Sequence, residues 1–98
     1  MKRNKPPDRI AYLTLESICL SGERGITRRE IMNVRGWDYV FHYSSLYRIT
    51  KRFIRIEMVF ADGVRKVGSS HVDSIILKAT KAGLNDLNQI NEMWKKAQ

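Results

Sequence analysis

The sequence predicts an α+β domain: a three-helix core, then a β-hairpin, then a closing C-terminal helix. Three observations carry this. Apolar residues recur at helical spacing in three separate segments before residue 55. From Ile54 to Phe60 the period drops to two, and Asp62-Gly63 follows as a turn signal. After Thr80 the helical spacing returns. With 98 residues, 43% of them hydrophobic, the chain is sized for one small core. Residues 8–98 read as a single domain behind an arm of residues 1–7, with no internal repeat and no low-complexity segment.

The arm, "MKRNKPP", is basic, and its two prolines keep it extended. Such an arm can lie along a phosphate backbone or enter a minor groove; the alternative is a frayed terminus. Asp8 has the chemistry of an N-cap for a first helix, Arg9 to about Ser21. Ala11, Leu15 and Ile18 form its apolar row, widened by Ile10, Leu13 and Leu20. Gly22 ends it, and "SGERG" is a loop. Cys19, the one cysteine, lies in this apolar run and reads as a small core residue; no disulfide or cysteine-based zinc site can form within the chain.

"TRRE", Thr27 to Glu30, has the form of a capping box, in which each residue's side chain bonds the other's backbone N–H. Ile26 before it and Ile31 after it suit a hydrophobic staple. A short second helix is therefore expected from Arg28 to Val34, closed by Arg35-Gly36. "WDYVFHY" is an aromatic link in which Trp37, Val40 and Phe41 read as core.

The third helix is expected to start near Tyr43 or Ser44 and end about Ile54. At about 100° per residue, Leu46, Ile49, Thr50 and Phe53 share one side. Burying each large apolar side chain is worth roughly 1.5–3 kcal/mol, enough to decide which way the helix faces. Ser44, Arg48, Lys51, Arg52 and Arg55 are then turned outward, with no acid among them. A solvated helix face normally mixes Glu with Lys in intrahelical pairs, so this face directs its field at something else.

Ile54, Ile56, Met58 and Phe60 read as alternate positions of a strand. Val72, Ile75, Ile76 and Leu77 suit the returning strand. The expected hairpin tip includes Arg65 to Ser70, with Ala61–Gly63 as a bulge or lesser turn. A last helix runs from about Thr80 to Lys96. Its residues Leu87, Ile90, Trp94 and Ala97 form a narrow seam that suits either the chain's own core or a second copy, and a homodimer is the expected use.

Lys and Arg number 18 against 10 acids, a formal charge of +8. Residues 1–55 hold twelve Lys/Arg and five Asp/Glu, net +7, and residues 56–98 hold six and five, net +1. A small basic domain so polarised is built to meet a polyanion, and through its first half. Catalysis is not indicated. His42 and His71 are far apart, the acids are scattered, and there is no glycine-rich phosphate cradle, so neither an enzyme nor a cofactor is expected. No apolar run reaches membrane-spanning length and the polar start is not a secretory signal, so the expected location is cytoplasmic.

The order helix, short helix, link, basic helix, hairpin, helix resembles the winged helix-turn-helix superfamily of small bacterial, archaeal and viral transcriptional regulators. "ITRREIMNV" looks like the opening helix of the helix-turn-helix pair, and "SSLYRITKRFIR" is similar to its recognition helix. "LKATKAGLNDL" looks like the end of the wing strand entering a closing helix, with Ala79 where Leu is usual. The link from Trp37 to Tyr43 is longer and more aromatic than the usual turn.

The resemblance implies duplex DNA as partner, with the third helix in the major groove and the wing on the flanking backbone. Ser44, Ser45, Tyr47, Arg48, Lys51 and Arg52 become the candidates for the groove. Arg48 is the candidate for guanine readout, because its planar fork matches O6 and N7. Lys51, Arg52 and Arg55 are expected to grip phosphates, as are Arg28 and Arg29 at the start of the second helix. Arg65 and Lys66 would reach the flanking backbone or minor groove. Each of these could instead be a solvated charge. Two other functions stay open: a protein-interaction module of the same fold in a replication or transcription assembly, and an RNA-binding or nonspecific nucleic-acid protein.

Overall fold

A computed structural model describes residues 9–35, 42–68 and 73–97, with the side chains of residues 35, 73, 94, 96 and 97 excepted. The element order is α1 (Arg9–Ser21), a 3-10 turn (Gly22–Arg24), β1 (Ile26–Thr27), α2 (Arg28–Arg35), α3 (Tyr43–Arg55), β2 (Val59–Lys66), β3 (Asp73–Ala79) and α4 (Lys81–Ala97). The arm, the Asp8 cap and most of the aromatic link lie outside the described residues. So do Val72 and the centre of the hairpin tip.

The four helices and the hairpin converge on one core of Leu15, Ile18, Ile31, Leu46, Phe53, Val59, Leu77 and Leu87. In α1 the buried side is Thr14, Leu15 and Ile18. Leu20, expected to widen that face, is 76% exposed. It lies about 140° round the helix from Leu15, turned away from the buried side. Cys19 is half-buried against the core; burial first, then the nearby Glu16 carboxylate, push its thiol up to about 11, which makes it a poor nucleophile.

Thr14 is fully buried, and its hydroxyl has no hydrogen-bond partner among the described residues. A buried polar group left unpaired costs about 1–3 kcal/mol. Thr14→Val keeps the branched shape and removes that oxygen. It is expected to raise the melting temperature by about 4–8 °C in thermal unfolding followed by circular dichroism.

The capping box forms as the sequence predicts. The Thr27 N–H donates to Glu30 Oε1 at 2.9 Å and the Glu30 N–H to Thr27 Oγ1 at 3.1 Å. Ile31, the inner member of the staple, is completely buried, and Ile26 packs against the same core. These two devices set where α2 begins and how its chain enters.

The sheet has the strand order β1-β3-β2, all antiparallel. Ile26 and Thr27 pair with Leu77 and Ile76. The hairpin runs from Val59↔Ala79 to Lys66↔Asp73, so the chain reverses between those two residues, and its register shifts between Ala61 and Val64. The predicted bulge is present, but Arg65 and Lys66, expected in the tip, are still paired within β2.

The strand starts later than its alternation implied. Ile54 and Arg55 belong to the last turn of α3, and Ile56 is 48% exposed. The helix ends in a left-handed closure: Glu57 has φ 63°, its N–H donates to the Ile54 carbonyl at 3.1 Å, and the Met58 N–H donates to Phe53 at 2.9 Å. Pairing can begin only after that closure, at Val59.

Helix α4 lies on its own chain. Leu87 is in the core, Ile90 is partly buried, and the Tyr12 hydroxyl of α1 donates to Asn91 Oδ1 at 2.8 Å. Leu87 is thus taken out of the expected dimer seam, since the α1 face that it covers would otherwise be wet. The Trp94 side chain is outside the described residues. Among the described residues no helix is long and apolar enough to cross a membrane.

Candidate nucleic-acid interface

Helix α3 carries the candidate interface. Leu46, Thr50 and Phe53 are buried on one side. Arg48, Lys51, Arg52 and Arg55 are exposed on the other. Among the described residues none of these four cations is paired with a carboxylate. With Tyr47 they line a groove of about 730 Å³. His42 precedes the helix in an extended conformation, φ −106° and ψ 143°, and Tyr43 is its first residue. Ser44 is exposed and Ser45 half-buried at the same end.

Two predicted contact residues have other work. Arg28 is 8% exposed. Its Nε donates to Thr50 Oγ1 at 2.5 Å, and its guanidinium carbon lies 4.7 Å from the centre of the Tyr47 ring. Arg28 therefore braces α2 against α3 rather than standing free for a phosphate. The Thr50 hydroxyl completes the joint by donating to the Leu46 carbonyl at 2.9 Å. Lys51 also lies against the Tyr47 ring, 5.4 Å from its centre, so the phenol meets one cation from α2 and one from its own helix. Arg29, one residue on from Arg28, is exposed at the start of α2.

Arg65 is the second departure. Its Nη2 donates to Glu30 Oε1 at 2.6 Å and to the Gly25 carbonyl at 3.1 Å, and its Nη1 to the Arg24 carbonyl at 3.3 Å. It is tied inward, whereas its neighbour Lys66 is exposed. Sequence reasoning named Glu30 for its cap alone and missed these partners. A signal existed: Glu30 is the single acid between Glu23 and Asp38, a stretch that carries Arg24, Arg28, Arg29 and Arg35. Thr50 was likewise read only as part of the buried side, and its service as acceptor for Arg28 was missed.

Burial alone would raise the Glu30 carboxyl. The hydrogen bond from Arg65, the Thr27 N–H, the Arg65 charge and Arg24 together hold it at about 2 instead. A carboxyl depressed on folding stabilises the native state above its unfolded value of about 4.5, and that contribution is lost as pH falls toward 2. Glu30→Gln is expected to flatten the fall in stability between pH 4.5 and 2, measured by urea unfolding at stepped pH.

No family model matches the chain, and no curated protein matches it in sequence. Solved structures do match. A PadR-like transcription factor from Bacteroides fragilis superposes with a TM-score of 0.70 at 12% identity, over 89% of this chain and 81% of the other. The fold is a winged helix. A Streptococcus transcriptional regulator superposes with a TM-score of 0.68 at 14% identity, over 89% and 82% of the two chains. Bacillus subtilis PadR, solved in complex with operator DNA, has a TM-score of 0.64 at 13% identity; it is matched over 84% of this chain and 46% of its own. In winged-helix terms α2 and α3 are the helix-turn-helix pair, with α3 in the place of the recognition helix, and β2–β3 form the wing.

Proposed function

We propose that this chain is a transcriptional regulator that binds double-stranded DNA sequence-specifically, with α3 in the major groove and the wing on the flanking backbone. The observation that carries this reading is the uncompensated cationic face of α3. Four exposed cations with no carboxylate partner among the described residues, on a helix anchored by Leu46 and Phe53, attract a polyanion and present it with a rigid rod of groove width. The operator-bound neighbour of the same fold adds support.

The parts then divide by chemistry. Ser44, Ser45, Tyr47 and Arg48 take the base edges, with Arg48 on guanine. Lys51, Arg52, Arg55 and Arg29 take phosphates, Arg29 assisted by the free N–H groups at the start of α2. Lys66 takes the backbone beside the groove. The ring of Tyr47, already engaged by Arg28 and Lys51, is less able to stack on a splayed base, which favours a duplex over single-stranded RNA.

A homodimer is part of the reading. Met93 remains 55% exposed on α4, about 60° round the helix from the half-buried Ile90, and the two offer apolar surface for a second copy. Twofold symmetry would place paired half-sites about one helical turn apart, roughly 34–36 Å. Selection from a random duplex pool, with the mass of the complex measured alongside, tests both statements. One palindromic site and two chains per duplex are expected. Equal retention on every duplex after competitor DNA is added would reject sequence-specific binding.

A further inference from the structure

The wing is attached to the body unevenly. The ladder from β3 to β1 stops at Thr27↔Ile76, and the hairpin continues outward for Val64 to Lys66 against Asp73 to Ile75. Val64 and Ile75, which face each other there, are 56% and 40% exposed, so little packing holds this outer end. Arg65 supplies the tie. From the middle of the projecting segment it reaches Glu30 and the carbonyls of Arg24 and Gly25, all in the stretch that leads into and opens α2.

The tie is better suited to geometry than to stability. The Arg65 and Glu30 side chains keep 24% and 18% of their exposure, and partly exposed ion pairs add little to folding. What the pair does fix is rotation. Successive strand residues point to opposite faces. With Arg65 drawn toward α2, Lys66 is turned to the other face, the one that carries the buried Val59 and Leu77 lower down and looks toward α3. Glu30 meanwhile stays bonded to the Thr27 N–H, so the same carboxylate sets the start of α2 and the angle of the wing.

We propose that Glu30 is a positioning residue for nucleic-acid binding: by clasping Arg65 it presents Lys66 to the phosphate backbone flanking the α3 site. This rests on the duplex reading above. Arg65 in this arrangement serves the protein, and Lys66 serves the ligand.

Glu30→Gln weakens the clasp by removing its charge, while the retained amide oxygen, which accepts both the Thr27 N–H and the Arg65 Nη2 bond, keeps the cap. The probe is the duplex recovered from the random pool, used with its flanks and trimmed to its half-sites. Glu30→Gln is expected to weaken binding to the flanked duplex about three- to tenfold and to lower its salt slope by about one per chain, as Lys66→Ala does. Both variants should bind the trimmed duplex within about twofold of wild type. The double variant should be no weaker than Lys66→Ala alone, because Glu30 acts through Lys66. Equal losses on the two duplexes, or additive losses in the double variant, would overturn the proposal. Should Glu30→Gln fail to fold, Arg65→Gln carries the same comparison with the cap untouched. A wild-type protein that binds neither duplex removes the reading underneath; one that binds both while Glu30→Gln matches it removes the clasp alone.

Discussion

Replacing Gly83 with alanine should lower the melting temperature by about 10 °C or more, although alanine is the better helix former. Gly83 is buried in the first turn of α4. A Cβ there would overlap the carbonyl oxygen of Met58, and its next contacts are also Met58 backbone atoms. Backbone cannot swing aside as a side-chain tip can. Met58 is held twice over: its N–H donates to Phe53, and its carbonyl accepts the Thr80 N–H at 3.0 Å. Thr80 closes the joint, donating its hydroxyl to the Glu57 carbonyl at 2.6 Å and accepting the Gly83 N–H at 3.1 Å. Helix propensity favours alanine by about 1 kcal/mol, whereas forcing a methyl into a filled space costs typically about 1–3 kcal/mol, and more when only backbone can yield. The steric cost is expected to win by about 2 kcal/mol, or roughly 8–16 °C for a domain of this size. Thermal unfolding decides it. A variant as stable as wild type would mean that α4 can shift its start, contrary to the fixed joint described above.

Arg48→Ala is expected to cost about 1–3 kcal/mol on the selected duplex, roughly five- to 150-fold in affinity, while barely changing the affinity for unrelated duplexes. The side chain is exposed at the centre of the α3 face, flanked by Tyr47 and Lys51, and none of its donors is used within the described residues. Arg29→Ala, by contrast, should weaken all duplexes alike and lower the salt slope by about one, since a phosphate contact carries no base identity. Competition binding across a salt series separates the two outcomes. Unchanged affinity and preference in Arg48→Ala would place the reading elsewhere on the helix, and uniform weakening would make Arg48 one more phosphate contact.

What could be read from the sequence was what is local. Thr27 and Glu30 are three residues apart, so their reciprocal cap follows from residue type and spacing, and it forms. Leu46, Thr50 and Phe53 repeat within a single helix, so their burial follows from the helical period. The end of α3 was harder. Ile54 and Ile56 fit a strand as well as a helix, and the decision falls to Glu57, which adopts a left-handed conformation that its residue type does not announce. The inward turn of the arginines was harder still, with only the isolated acid Glu30 to hint at it. Arg28 meets Thr50 across 22 residues and Arg65 meets Glu30 across 35, and charge counting treats every arginine as free. The seam of α4 was legible as a seam, but which surface it covers depends on α1 lying alongside, as Leu87 and the Tyr12–Asn91 bond show.

The bulge between Ala61 and Val64 has a consequence for how the protein behaves at high concentration. β2 is an outer strand, and an unpaired row of N–H and C=O groups is a template on which other chains can build fibres. Here the row is broken where the register slips, at Gly63 with φ 82°, and beside it Asp62 is engaged with Lys78 at 2.6 Å. A foreign strand would find no straight run along which to zip. The kink that shapes the wing also guards its open side against amyloid-like growth.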